Sequence, residues 1–290
     1  MSKFFGLVLS LGFISLLASQ SAFAFPMPKG SASEFKAITA IPFTFTNTYD
    51  FEGIVALDDC SGSLIRLENA KDTDLALVLT NGHCYEGGMP VPGQVILNQP
   101  SSRTFKLLNP QSQPIATLTA TTVVYSTMTR TDMTIYKLGQ TYGDILSKYG
   151  IHAMTLSSRP ANLQDRIEII SGYWRRGYTC GVEKFVDQLK EANWTFANSI
   201  RYSRPGCETI GGTSGSPITL AGTKIVIGVN NTGNEDGEEC TMNNPCEIDS
   251  KGAVFYQQGI SYGQQTYWLY SCLNAKSELD LNTRGCLLPH

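Results

Sequence analysis

Ser214 lies in "IGGTSGSPIT" (210–219), with glycines at 211, 212 and 215 and a proline at 217. A serine among such small residues is either part of a plain loop or a nucleophile. It becomes a nucleophile only if a base takes its proton and a third group fixes the tautomer of that base. The chain offers His83, His152 and His290. His83 follows the apolar run "LALVL" and directly precedes Cys84, as if a strand delivered it to a loop, whereas His152 sits in an apolar linker and His290 is the last residue. His83 is therefore the candidate base. For the carboxylate, Asp132 heads the alternating run in "TRTDMTIYKL", while Asp72 and Asp74 in "NAKDTDL" read as a hairpin tip. A turn or cap is the ordinary role of Asp at a strand start, so residue type alone gives Asp132 only a slight preference.

Positioning these groups falls to β-structure. From about residue 53 the chain is a succession of short runs such as "GIVAL", "GSLIRL", "LALVLT", "TLTATTVVY", "RIEIISGYW", "SPITL" and "KIVIGV", separated by turn residues. Their alternation and β-branched content predict sandwiches or barrels. Helix signals are confined to "GDILSKYG" (143–150) and to "GQQTYWLYSCLN" (263–274), where Tyr267, Tyr270 and Leu273 recur at helical intervals. The expected fold class is all-β: one β unit over 53–145, a second over 146–262, then a C-terminal helix and tail over 263–290.

The N-terminus predicts the compartment. Lys3, the apolar run "FFGLVLSLGFISLLA" and the small-residue end Ala22-Phe23-Ala24 have the order of a secretory signal peptide cleaved after Ala24. Residues 25–52 then read as a propeptide or an N-terminal strand. The expected location is secreted or periplasmic, with no membrane attachment after cleavage, since no later run has spanning length. Eight cysteines in such a chain imply up to four disulfides. Without a C-x-x-C pair and with few histidines, a metal site is not expected. The net charge of −3, with no Lys/Arg-rich patch, argues against a nucleic-acid partner. "NEDGEE" (234–239) lacks the alternating ligand spacing of a calcium loop and reads as solvated. No cofactor is expected, and the chain reads as a monomer.

Four segments occur in the order His, Asp, Ser: "CSGSLI" at 60–65, "LTNGHC" at 79–84, "TDMTIYKL" at 131–138 and "GGTSGSP" at 211–217. Together they resemble the trypsin/chymotrypsin-like serine peptidases, bacterial secreted branch. The α/β-hydrolase pattern fits less well, because it expects G-x-S-x-G and the order Ser, acid, His. The resemblance implies two six-stranded antiparallel barrels and a secreted endopeptidase acting on protein or peptide substrates. It implies Ser214 as nucleophile, His83 as general base then acid, Asp132 as its orienting partner, and the backbone N–H groups of Gly212 and Ser214 as oxyanion hole. It also implies that the strand "VIGVNN" walls the substrate pocket, with Gly228, Val229, Asn230 and Asn231 lining it.

Departures from the animal enzymes matter too. Those carry an aspartate before the serine, paired with a new N-terminal ammonium after zymogen cleavage; here Thr213 holds that position and "GIVAL" (53–57) reads as an internal strand. The resemblance pairs Cys60 with Cys84. Cys207 with Cys240 and Cys180 with Cys246 is one arrangement for the next four, Cys180–Cys207 with Cys240–Cys246 its rival, and Cys272–Cys286 would tie the tail to the helix. The family's pocket-base residue, counted back from the serine, is Glu208; counted from Cys207 it is Pro205. Glu208 at a pocket floor would favour Arg or Lys at the cleaved bond; otherwise it is a solvated loop carboxylate. A serine esterase on the same fold and a non-catalytic protein-binding homologue are the competing functions.

Overall fold

A computed structural model describes residues 49–290; the expected signal peptide and residues 25–48 lie outside the described residues. The strands are β1 (Ile54–Ala56), β2 (Ser61–Arg66), β3 (Leu75–Thr80), β4 (Val95–Pro100), β5 (Thr104–Leu108), β6 (Pro114–Thr127), β7 (Met133–Thr141) and β8 (Met154–Leu156) in the first part. Then follow β9 (Arg166–Ser171), β10 (Arg176–Glu191), β11 (Trp194–Tyr202), β12 (Pro217–Leu220), β13 (Ile225–Gly233), β14 (Cys246–Ile248), β15 (Val254–Phe255) and β16 (Ser261–Gln265).

The pairings close two rings, each of six antiparallel strands. The first runs β1–β2–β3–β7–β6–β5 and back to β1. The second runs β9–β10–β11–β16–β13–β12 and back to β9. Closure leaves neither ring with an open edge. This is the two-barrel architecture expected from the sequence. The short strand β8 runs parallel to both β2 and β13 and so links the barrels. The second barrel is not reached until Arg166, and β16 carries it past residue 262 to Gln265.

Each barrel is filled by its own apolar side chains. Leu64, Val78, Phe105, Leu118 and Tyr136 pack inside the first. Ile167, Ile169, Val182, Ile200 and Ile218 pack inside the second. A third cluster forms the seam: Leu79, Met133 and Ile135 of the first barrel meet Ile170, Val226 and Val229 of the second, covered by Trp268, Leu269 and Leu288 of the tail. The residues that carry the site lie at the ends of strands bordering this seam.

The helix predicted at 143–150 is present as α1 (Tyr142–Tyr149), with Thr141 and Asp144 forming a reciprocal N-terminal cap and Gly150 ending it in the left-handed region. The helix predicted over 263–274 divides differently. Its first residues belong to β16, and only Tyr267–Cys272 coils, as a short 3₁₀ helix. Gln264 and Gln265 explain the misreading: these polar residues are buried among strands and bonded to Ser199 and to the Asn198 carbonyl, so their strand lacks an apolar-polar alternation. Four disulfides are present. Cys60–Cys84 and Cys272–Cys286 agree with expectation, while Cys180–Cys207 and Cys240–Cys246 replace the arrangement Cys207–Cys240 with Cys180–Cys246. The physical reason is local: Cys180 on β10 faces the loop that leaves β11, and Cys240 and Cys246 close their own loop.

Candidate active site

His83 stands three residues beyond β3, in a turn held by the Cys84 N–H to Asn81 O (3.3 Å) and Tyr85 N–H to Gly82 O (3.0 Å) hydrogen bonds. The neighbouring disulfide to Cys60 anchors the turn on the start of β2. Gly82 is obligatory, because a Cβ there would meet the Thr127 carbonyl at 2.0 Å and Asp132 Oδ1 at 2.8 Å. That close approach brings the head of β7 against the turn.

Asp132 is fully buried at that head. Its two oxygens are divided between backbone and ring. Oδ1 accepts the His83 backbone N–H (3.0 Å), and Oδ2 receives Nδ1–H of the imidazole at 2.6 Å. The side chain of Asn81 secures the Asp132 backbone by donating to its carbonyl (2.9 Å). With Nδ1 protonated toward the carboxylate, Nε2 keeps its lone pair. Burial lowers the basicity of His83, but the carboxylates around it, Asp132 foremost with Glu191 and Asp59, together hold its pKa above the ordinary 6.5.

Ser214 comes from the other barrel, in the turn that leads into β12. Its carbonyl accepts the Ser61 N–H (2.7 Å), and the Gly215 N–H donates to Asn230 O on β13 (3.0 Å). Gly215, at φ +80°, lies where a Cβ would strike the Ser61 carbonyl at 2.1 Å. The Ser214 hydroxyl donates to the Asn231 carbonyl over 3.4 Å, a long bond that is readily given up. Among the described residues, the backbone N–H groups of Gly212 and Ser214 have no protein partner.

His83, Asp132 and Ser214 line one cavity between the barrels. Of the expected wall residues, Asn230 and Asn231 line it too, while Gly228 and Val229 do not; Val229 packs into the seam. The cavity wall instead continues forward along β13 through Thr232 and Gly233. Glu208 is also misplaced by counting. It lies in a separate surface groove with Pro205, where Gly206 N–H (2.9 Å) and the Arg204 guanidinium engage its carboxylate. The Gly206 N–H, with Arg204 assisting, holds that carboxyl below its ordinary range. An Arg/Lys preference therefore cannot rest on Glu208.

Two carboxyls in the cavity went unrecognised in the sequence, the exposed Glu235 and the buried Glu191. Glu191 ends β10, is 7 % exposed, and accepts the Asn243 N–H (2.8 Å). Burial raises its pKa, and its charge adds to that of Asp132 in favouring a protonated His83. Nothing in "KEANW" marks it apart from any hairpin-tip glutamate. The cluster Cys60, His83 and Cys84 has metal-ligand types within mutual reach, but its two sulfurs are bonded to each other.

No protein-family model matches the chain, and no curated protein matches it in sequence. Solved structures similar to it include proteases. The MamO protease domain of Magnetospirillum magneticum is 11% identical, with a TM-score of 0.47, over 79% of this chain and 99% of that one. The active form of the Rv3671c protease from M. tuberculosis is 13% identical, with a TM-score of 0.45, over 93% of this chain and 97% of that one. Protease A of Thermobifida fusca is 14% identical, with a TM-score of 0.41, over 75% of this chain and 91% of that one.

Proposed function

We propose that the chain is an exported serine endopeptidase acting through Ser214, His83 and Asp132. The observation that carries this reading is the short Asp132–His83 hydrogen bond beside Ser214 in one cavity, with the two barrels each supplying part. His83 Nε2 takes the Ser214 proton as Oγ bonds to the scissile carbonyl carbon. The carbonyl oxygen gains the negative charge, and the free N–H groups of Gly212 and Ser214 are the donors for it. The imidazolium, stabilised by Asp132, returns the proton to the leaving amine as the C–N bond breaks. Water then repeats the sequence on the acyl-enzyme, restoring Ser214. Four disulfides suit an oxidising compartment. Among the described residues no helix is long and apolar enough to cross a membrane.

The test is labelling by a fluorophosphonate at neutral pH, with Ser214→Ala as control, followed by profiling on a peptide library. Labelling of Ser214 with peptide cleavage supports the reading. No labelling of the folded chain would favour the non-catalytic homologue, and turnover of small esters with no cleaved peptide would favour the esterase.

A further inference from the structure

The peptide joining Gly211 to Gly212 is held from outside the cavity. Residues 210–213 form a tight turn closed by the Thr213 N–H to Ile210 O hydrogen bond (3.0 Å). Gly212 has φ +85° and Gly211 does not lie in the positive region, which makes the turn type II. Rotating its central peptide by about 180° gives the type I form and exchanges the places of C=O and N–H. With glycine at both central positions, neither form meets a side-chain penalty. The turn therefore lacks a strong internal preference. The choice matters because C=O and N–H of a trans peptide point opposite ways.

An outside group makes that choice. Trp174, in the turn between β9 and β10, donates its indole N–H to the Gly211 carbonyl at 2.7 Å. Gly211, Thr213 and Ser214 line the cavity, whereas Gly212 and Trp174 do not. The carbonyl is thus drawn to Trp174, and the Gly212 N–H is turned away from it. Trp174 is itself braced, by its backbone N–H to Ser171 Oγ (3.2 Å) and by edge-to-face contact with Tyr173 at 4.9 Å between centroids. Ser61 Oγ holds the following carbonyl, that of Gly212, at 3.1 Å while accepting the Tyr173 N–H at 3.1 Å. Tyr173 and Trp174 come so close that a Cβ on Gly212 would meet them at 2.7 and 2.9 Å.

We propose that Trp174 is a positioning residue for the oxyanion site: its indole N–H selects the peptide orientation that leaves the Gly212 N–H available to the developing oxyanion. The inference rests on the hydrolase reading above and gives Trp174 no contact with the reacting atoms. Trp174→Phe keeps a ring in a turn where the residue is 47% exposed, so the barrels are not disturbed. The expected result is a kcat lower by about 2-fold with KM unchanged: one net hydrogen bond alters the ratio of two otherwise balanced forms by about 10-fold, so its loss takes the competent form from roughly 90% of molecules to roughly half. Affinity for a peptidyl boronic acid, whose tetrahedral adduct presents an anionic oxygen, falls by the same factor; affinity for a non-covalent product peptide does not. A benzothiophene isostere of tryptophan at 174, which removes the N–H alone, reproduces both effects if the phenylalanine variant folds poorly. Unchanged kcat and boronate affinity in an active protein, or a change in KM alone, would overturn the inference and leave the hydrolase reading standing. A wild type that neither turns over substrate nor takes a fluorophosphonate overturns the hydrolase reading and this inference with it.

Discussion

Replacing Asp132 by Asn tests the pairing on which the proposed chemistry depends. The structure dictates how the amide would sit. One oxygen of Asp132 accepts the His83 backbone N–H, a donor that remains whatever the ring does. In the Asp132→Asn variant the amide oxygen must take that place, so its NH₂ faces Nδ1 of the imidazole. Nδ1 then becomes an acceptor, the proton moves to Nε2, and the ring can no longer accept the Ser214 proton. The loss is one of tautomer rather than of position, and in comparable triads it lowers kcat by about 10⁴-fold, or roughly 5.5 kcal/mol.

The same carboxylate sets the acid limb of the pH profile. His83 must be neutral to act, and its pKa lies above 6.5 because the nearby carboxylates, Asp132 foremost, together outweigh the effect of burial. Activity of the wild type should therefore be full at alkaline pH and fall as pH drops through a value above 6.5. Once Asp132 is replaced by Asn, burial still disfavours the imidazolium while its main opposing charge is gone, so the residual activity should titrate at lower pH. The assay is kcat/KM against pH for both proteins on one peptide substrate. Asp132→Asn activity within about 10-fold of wild type, or a wild-type acid limb below 6.5, would refute the reasoning.

Three other outcomes follow from the same geometry. Glu191→Gln removes a carboxylate that favours the charged imidazole, so the acid limb should move to lower pH, by less than in the Asp132 variant; an upward move would contradict the placement of Glu191 beside His83. Glu208→Gln should leave the library profile at the cleaved position unchanged, since Glu208 pairs with Arg204 in another groove, and a lost Arg/Lys preference would return it to the pocket. A peptide map without reduction should recover Cys180 joined to Cys207 and Cys240 joined to Cys246. Replacing Cys180 and Cys207 by Ala should lower unfolding stability by up to about 3.5 kcal/mol on the chain-entropy account of the 27-residue separation, read by urea denaturation.

How far the sequence was legible depended on whether information was local. The alternating runs became strands, and α1 was visible because its cap, its apolar face and its terminal glycine all lie within ten residues. His83 stood out by its place after an apolar run, but Asp132 and Ser214 were named only through the resemblance of four short segments to a known family; the structure brings all three to one cavity. Disulfide pairing was legible only in part: the resemblance supplied Cys60–Cys84 and Cys272–Cys286, while the middle four cysteines left two arrangements open until tertiary proximity selected one. Counting residues misplaced Glu208 because the segment from Cys207 to Ser214 takes its own path, with Glu208 bonded back to Gly206. Trp174 was hidden for a different reason. Its partner is a backbone carbonyl 37 residues away, and a backbone carbonyl has no signature in sequence.

Thr213 shows how the loop preceding Ser214 can be ordered without a buried charge. In the animal enzymes that the sequence resembles, this position holds an aspartate that needs a cation beside it. Here Thr213 is 1% exposed, and its carbonyl and hydroxyl both accept from the Asn230 side-chain amide, at 3.0 and 3.2 Å. The Asn230 oxygen in turn accepts the Tyr202 hydroxyl at 3.0 Å. Every polar atom in that chain of contacts is neutral and has a partner. A buried ion pair would carry a desolvation cost of several kcal/mol per charge and would collapse if its cation were removed. The neutral network carries neither burden, and it is built wholly from β11, β13 and the loop itself. Among the described residues the 210–216 loop is thus ordered by neutral contacts within the second barrel, and the same contacts set the amides beside Ser214.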